Sequence, residues 1–465
     1  MKLHLVCADE RLYPELCDLV RAYAPHIHED VDAPEFTVVA SDEGEYSVQI
    51  RFGEFCFGDT QPLRQGEDLI MHKRRYKRFA KSRVYRALRT LCGVSLPYGS
   101  LTGIRPTKLY YDLQAEGEDP KSMLADYFDV SPAKIQLIED IVETQRGVYR
   151  EDIEAYNHFA NIPVCPTRCA YCSFIAEVYR RVEKQIPEYA KNLAEDVEGF
   201  FALGKRRRAI YVGGGTPTAI PAVYLGEILR AFHAEGEEFT VEAGRPETIT
   251  PDHIAVMKEA GVTRVSVNPQ SFKGETLARI GRAHTVEDIY KAYRLVKEAG
   301  FDVNMDLITM LPGESLEDFA ATLSETLRLR PENITVHSLS IKRGSTLCLA
   351  GYDNAMDNEL AEKMSEYAYR TLREAGYRPY YMYRQKNTQG RLENVGYTLP
   401  GKACVYNVDI MEETHSIHAS GAGAISKRVF PSAGRIERLA EIKEVKGYNE
   451  RIAELVEKKK KFFAE

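Results

Sequence analysis

A chain of 465 residues, 44% hydrophobic and 28% charged, can bury more than one core and is expected to divide into two or three domains. Its net charge of −7 gives no global attraction to nucleic acid or anionic membrane, so any polyanion contact has to be local. No apolar run approaches the roughly 20 residues that span a bilayer, and the opening MKLHLVCADERLYPEL lacks the apolar core of a signal peptide, so a cytoplasmic protein with no membrane span is expected.

Residues 1–150 read as an N-terminal α+β domain. The alternating runs FTVVAS and YSVQIRFGEF predict strands, and helices are predicted over Met71–Leu91 and Lys134–Tyr149. From Asn157 onward, short β-rich runs alternate with amphipathic helices: RAIYVGGG, EFTVEA, VTRVSVNP, VNMDLIT and ENITVHSLS follow the run that precedes Cys165. About six βα units imply an α/β scaffold with a parallel sheet, whose chemistry sits at the strand C-termini. This unit is set at residues 151–345. A helix through Met364–Ala375 then leads into a Gly- and Tyr-rich domain, 346–465, closed by the charged amphipathic helix ERIAELVEKKKKFFAE. Six of the nine cysteines lie far apart and are expected to be reduced and mostly buried.

The other three, Cys165, Cys169 and Cys172, fall in NIPVCPTRCAYCSF at the spacing C-x3-C-x2-C. Structural zinc saturates four positions, whereas three thiolates can hold three irons of a 4Fe-4S cube and leave the fourth open to a ligand. Pro163 and Pro166 disfavour a helix, so the cysteines have to loop around the metal. A zinc site completed by a distant Cys or His, or three unconnected thiols, is the bland alternative.

Further along, GGGTP (Gly213–Pro217) follows a predicted strand and offers bare backbone to a ligand, or is simply a tight turn. Glu242, in VEAGRP, ends the next strand, where a carboxylate can accept hydrogen bonds from both hydroxyls of a ribose or, more blandly, cap a helix or form a surface ion pair. Gln270 in VNPQSF, Arg282 in RIGRAH and Asp306 in VNMDLI all fall at or just beyond strand ends and can face one mouth. Each alone reads as a buried polar group or a surface pair; as an ordered set on one scaffold they read as a site.

The cysteine spacing, with Tyr171 before the last cysteine, resembles the radical S-adenosylmethionine (SAM) enzymes, and within them the HemN-like branch of oxygen-independent coproporphyrinogen III dehydrogenases, in its HemZ-like group. The resemblance covers roughly residues 155 to 430, and YGSLTGIRPTKL extends it into the N-terminal part. It implies a partial (β/α)6 barrel flanked by an N-terminal α+β domain and a C-terminal HemN-like domain. It also implies a 4Fe-4S cluster on Cys165, Cys169 and Cys172, and SAM held by Tyr171, Gly214, Gly215, Thr216, Glu242, Gln270, Arg282 and Asp306. The implied reaction generates a 5′-deoxyadenosyl radical and converts propionates of coproporphyrinogen III to vinyl groups, giving protoporphyrinogen IX. The implied partners are the tetrapyrrole substrate and a reduced flavodoxin- or ferredoxin-type electron donor.

The family pattern is broken at Phe174, where a further cysteine stands, at Phe159, where a Tyr stands, and at Met310, where a Gly stands. A haem carrier of the HemW type, or another SAM-dependent enzyme of tetrapyrroles, is the alternative reading. The HNxxxW-like signature of the carriers would fall in CVYNVDIM (Cys404–Met411), which has neither His nor Trp. HKRRYKRFAKSRVYRALR (His72–Arg89) has the basic and aromatic mix of an RNA-binding helix. Its apolar residues recur at helical spacing and need a core, so a solvated basic face is expected and no nucleic-acid partner. His415 and His418 are expected to be structural.

Overall fold

The computed structural model describes residues 1–464 except 25, 104, 173, 175, 235, 342–343, 351, 353–356 and 386–391. The chain forms two compact units, Met1–Asp140 and Ile141–Glu465.

In the first unit, strands β1 (Lys2–Cys7), β2 (His28–Glu29), β3 (Glu35–Ser41), β4 (Glu45–Phe52) and β5 (Phe55–Pro62) make one sheet in the order β2-β1-β3-β4-β5. Alternation along the strands turns Leu3, Leu5, Phe36, Val38, Tyr46, Val48 and Ile50 inward. There they share a core with helices α1 (Tyr13–Ala22) and α2 (Leu69–Cys92). The run YSVQIRFGEF is not one strand but a hairpin: β4 pairs with β5 as Phe52↔Phe55, and Gly53 at φ 57° supplies the turn. Asp68 caps α2 by accepting from the amides of Ile70 and Met71 at 2.8 Å, which contributes about 1 kcal/mol. Tyr76, Phe79, Ala80, Val84, Ala87 and Leu88 of α2 are buried, as their spacing requires. The basic face departs from expectation because it is not simply solvated. Arg78 pairs with Glu116, Lys77 and Lys81 with Glu15, Arg83 with Asp59 and Arg89 with Asp129, all partners remote in sequence.

The second unit carries β6 (Ala155–Ile162), β7 (Val164–Cys165), β8 (Glu177–Val178), β9 (Arg206–Gly214), β10 (Glu238–Val241), β11 (Arg264–Ser266), β12 (Asp302–Thr309), β13 (Asn333–Ser338), β14 (Arg378–Arg384), β15 (Glu393–Thr398), β16 (Ser416–Ser420), β17 (Ile425–Phe430) and β18 (Arg435–Ala440). Its main sheet runs β14-β15-β13-β12-β11-β10-β9-β6-β16-β17-β18. The middle six, β6 and β9 to β13, are parallel and in sequence order. Helices such as Ala222–Arg230, Pro251–Glu259, Val286–Glu298 and Leu316–Leu329 form the crossovers, so the expected βα alternation is observed. Thr285 and Ser315 start the last two helices with complete capping boxes to Asp288 and Asp318. Strands β6 and β10 are buried along almost their whole length, as a sheet covered on both faces demands. The stretch 346–465 adds β15 and β14 to one edge of this sheet and β16, β17 and β18 to the other.

His158, His415 and His418 of this unit are core residues, whereas His233 is exposed. His418 on β16 lies opposite His158 on β6, with Nδ1 3.3 Å from Nε2, among Phe200, Phe232 and Phe463. Burial pushes both imidazoles well below their ordinary pKa. His415 is buried 3.4 Å from Asp409. In the C-terminal helix Ile452–Ala464, Lys459 departs from the solvated pattern of its run, bridging buried Asp196 at 2.6 Å and Glu441 at 3.2 Å. All nine cysteines are free; of the six scattered ones only Cys17 and Cys404 are buried, while Cys56 and Cys348 are exposed, so burial is not their rule.

Candidate active site at the strand C-termini

The cysteine loop leaves the end of β6 and is clasped at both ends by a two-residue ladder, Val164↔Glu177 and Cys165↔Val178. No helix forms between Pro166 and Cys172, as the prolines predict. The amide of Cys172 donates to the carbonyl of Cys169 at 3.1 Å, and that of Ala170 to Ile280 at 2.9 Å. Leu347 holds the loop from the other side through Ala170 at 3.0 Å. The Thr216 hydroxyl lies 3.6 Å from Cys165 Sγ, and Arg245 Nη1 lies 3.3 Å from Cys169 Sγ. Burial pushes the Cys165 and Cys172 thiols up, and the charges of the neighbouring thiols add to the effect. The three sulfurs therefore sense one another. Among the described residues no three side chains converge on a single ion; thiolates that hold separate irons of one cube need not do so.

At the ends of β9 and β10 the glycine run has a reason internal to the chain. A Cβ at Gly213 would stand 2.7 Å from a Glu242 carboxylate oxygen; at Gly214 it would strike the Asn161 side chain, and at Gly215 the backbone of Val164. The glycines thus let Glu242 and the cysteine loop approach the strand end. Glu242 accepts from the Tyr211 hydroxyl and from the Gly214 amide. Burial pushes its carboxyl up, the Tyr211 bond lowers it and the charge of Asp306 raises it again, leaving it at about 7. Contrary to the expectation of strand ends, Asp306 lies inside β12 and Arg282 follows the helix Gly274–Arg279; Asp306 accepts from Asn268 and Asn304 at 2.8 Å and lies 3.6 Å from His337. Burial raises its carboxyl, but His337, the Asn304 amide and the Thr335 hydroxyl outweigh that and hold it below the ordinary range. His337 is the penultimate residue of β13 and its Nδ1 faces the Tyr383 hydroxyl at 3.3 Å.

Gln270 sits at φ 67° and joins β12 through backbone bonds, donating to Asp306 at 2.9 Å and accepting from Ile308 at 3.2 Å. Arg282 donates from Nη1 to the carbonyls of Asn268 at 2.6 Å and Gly244 at 3.1 Å, and its side chain bonds the Tyr171 hydroxyl. Gln270 Oε1 and Arg282 Nε are buried with no hydrogen-bond partner among the described residues. Such groups are costly without a partner and suit a bound polar ligand. Tyr171, Gly214, Gly215, Thr216, Glu242, Gln270, Arg282 and Asp306 thus form a connected set beside the three cysteines.

Sequence reasoning missed Arg245, Tyr211, Asn268 and His337. Arg245 is buried, bonds Thr167 at 3.0 Å as well as Cys169, and is held by Glu247, which its neighbours His284 and Arg245 keep at about 2 against burial. Its signal was position, three residues after Glu242 at a strand end. At the departures from the family pattern, Phe159 stacks on Tyr211 and Tyr406, Phe174 is 68% exposed, and buried Met310 takes φ 63°. That left-handed conformation suits the glycine of the pattern and costs an L side chain roughly 1–2 kcal/mol.

The Radical SAM superfamily model matches residues 162–325. The oxygen-independent coproporphyrinogen-III oxidase-like protein HemZ of Bacillus subtilis (strain 168) is 40% identical over 389 residues, 80% of this chain and 77% of that protein. The heme chaperone HemW of Lactococcus lactis subsp. lactis (strain IL1403) is 30% identical over 299 residues, 61% of this chain and 72% of that protein. The radical SAM enzyme coproporphyrinogen III oxidase (HemN) from Escherichia coli superposes with a TM-score of 0.51 at 20% identity, over 70% of this chain and 73% of that one, a likeness of fold. A 4Fe-4S cluster and SAM are the cofactors of the superfamily, and the thiol loop beside unsatisfied buried polar groups fits them. Identity of 40% across 80% of the chain makes this protein a member of the HemN-like, HemZ-containing family of radical SAM proteins.

Proposed function

We propose that the protein is an oxidoreductase acting on coproporphyrinogen III, in which a propionate side chain loses one hydrogen atom and carbon dioxide to leave a vinyl group, and repetition yields protoporphyrinogen IX. Bound, the cluster and SAM supply one-electron reduction and hydrogen-atom abstraction. The residues of the chain orient that chemistry. Cys165, Cys169 and Cys172 would hold the cluster, with Arg245 against one sulfur. Glu242 would take the ribose hydroxyls, while Tyr171, Gly214, Gly215, Thr216, Gln270, Arg282 and Asp306 would fix the rest of SAM. The electron enters from a flavodoxin- or ferredoxin-type donor, and the electron released with carbon dioxide leaves to an acceptor.

The observation that carries this reading is Glu242, a buried carboxylate just after the last residue of β10 that burial and the charge of Asp306 on β12 push up to about 7. HemZ and HemN supply the substrate class. Against the carrier reading, the segment that would bear the carrier signature is helix Val405–Glu412 with Tyr406 buried 4.5 Å from the Tyr211 ring and Cys404 buried on Glu238.

The test is anaerobic turnover of coproporphyrinogen III deuterated at the propionate carbon next to the ring, with SAM, reductant and an acceptor. The expected result is vinyl product with deuterium in 5′-deoxyadenosine. SAM cleavage without vinyl product, or stoichiometric haem binding without turnover, overturns the reading.

A further inference from the structure

We infer that Asn161 is a positioning residue for the methionine half of SAM, and that the C-terminal turn between β16 and β17 holds it in place. The inference rests on the reading that Glu242 and the glycine run hold SAM. That run leads from Glu242 to the cysteine loop. Gly213 lies against the Glu242 carboxylate, Gly215 against the backbone of Val164, and the Thr216 hydroxyl 3.6 Å from Cys165 Sγ. A SAM with its ribose on Glu242 and its other end toward the cysteines would lay its methionine half along Gly214 and Gly215.

Asn161, the penultimate residue of β6, is buried and pairs in register with Gly213. Its Oδ1 occupies the space that a Cβ on Gly214 would need, and Gly214 takes φ 106°, a conformation open to glycine. The amides of Gly214, Gly215 and Thr216 are spent inside the protein, on Glu242, on the Ile162 carbonyl at 2.9 Å and on the Val164 carbonyl at 2.7 Å. The protein therefore sets the orientation of this stretch, and the Asn161 side chain backs it at Gly214.

What fixes Asn161 comes from the far end of the chain. Its Nδ2 donates to the carbonyl of Ala422, 261 positions on. The hydroxyl of Tyr189, on helix Ile186–Glu198, donates to the Asn161 carbonyl at 2.6 Å and accepts from the Ala422 amide at 3.1 Å. One phenol thus binds both sides of the joint. Gly421, at φ 101°, has no room for a Cβ because the Asn161 carbonyl and the Tyr189 hydroxyl fill it. Its amide donates at 3.3 Å to buried Asp196, which also takes Lys459 at 2.6 Å and the Tyr448 hydroxyl at 2.7 Å. An asparagine held by this turn on one side and pressed against Gly214 on the other passes the position of the turn to the glycine run. Glu242 has its own support in the Tyr211 hydroxyl, so loss of the joint is felt on the methionine half more than on the ribose.

Equilibrium dialysis of the anaerobically reconstituted full chain tests this, with radiolabelled SAM and with 5′-methylthioadenosine, which keeps the adenosine and lacks the amino acid. Asn161→Ala should weaken SAM about tenfold and 5′-methylthioadenosine less than about twofold. Tyr189→Phe, which changes only the joint, should weaken SAM about threefold and leave the second ligand unchanged. Glu242→Ala should weaken both. Iron content and melting temperature are followed, and Tyr189→Phe carries the test if Asn161→Ala does not fold or load iron. Equal losses for the two ligands in Asn161→Ala, or wild-type SAM affinity in a folded, iron-loaded Asn161→Ala or Tyr189→Phe protein, overturns the inference. Wild type that binds neither ligand, or Glu242→Ala that keeps wild-type affinity for both, overturns the SAM-site reading beneath it.

Discussion

Glu238 opens β10 and Glu242 follows its last residue, so one strand carries a carboxylate at each end. At the N-terminal end, Glu238 meets Arg264, the Cys404 thiol at 3.0 Å, and the amides of Val405 and Tyr406 at 3.0 and 3.4 Å. Every lone pair there is engaged by the protein and the charge is matched. At the C-terminal end, Glu242 has a phenol and one amide, faces a second carboxylate, and is pushed up to about 7. The difference separates a carboxylate that holds the sheet together from one left in need of donors. An acid kept near neutrality by burial and a like charge is a sign of a functional position.

The comparison can be broken in four ways. The largest effect belongs to the loop served by the C-terminal end: Cys165→Ala, Cys169→Ala and Cys172→Ala should each abolish the cluster, read as iron and sulfide content after anaerobic reconstitution. Retention in any one of them removes that cysteine from the ligand set. Next, Glu238→Ala should destabilise the fold by about 3–5 kcal/mol, because Arg264 is left buried and unpaired. Glu242→Ala should cost far less stability but weaken SAM binding by about 1.5–3 kcal/mol, one to two decades. Equal losses of stability in the two variants would erase the distinction.

The third test uses pH. Glu242 has a folded pKa of about 7 against an ordinary 4.5, so the folded state favours its protonated form. The associated stability is full below about 4.5 and is lost as pH rises through about 7, up to roughly 3 kcal/mol. Glu242→Gln keeps the acceptor for Tyr211 and removes the titration. Without SAM, the melting temperature of wild type should fall relative to this variant between pH 5 and 8, and a flat difference would mean an unperturbed carboxyl. The smallest effect is on the cluster itself. Arg245→Gln removes a positive charge 3.3 Å from Cys169 Sγ. It should make the cluster potential more negative by some tens of millivolts, measured by redox titration; an unchanged potential would leave Arg245 a loop brace only.

Much of this arrangement was legible in the sequence because it is local. Cysteine spacing, flanking prolines and the βα rhythm are short-range signals, and the cysteine loop and six parallel strands answer to them directly. The glycine run was legible as a place but not as a cause, since the atoms that fill its Cβ positions come from Asn161, Val164 and Glu242 on other elements. Arg245, Tyr211 and His337 act through neighbours that only strand order brings together. The basic face of α2 looked solvated because its acids, Glu15, Asp59, Glu116 and Asp129, lie on other elements. The pattern YSVQIRFGEF concealed a hairpin because Gly53 interrupts an otherwise continuous β-forming run.

The most direct measurement is the electron paramagnetic resonance of the reduced cluster, titrated with SAM in wild type and in Glu242→Ala at equal iron content. The account predicts that SAM changes the wild-type spectrum and that the variant needs about 10–100 times more SAM for the same change. A spectrum indifferent to SAM, or identical titrations in the two proteins, would contradict it.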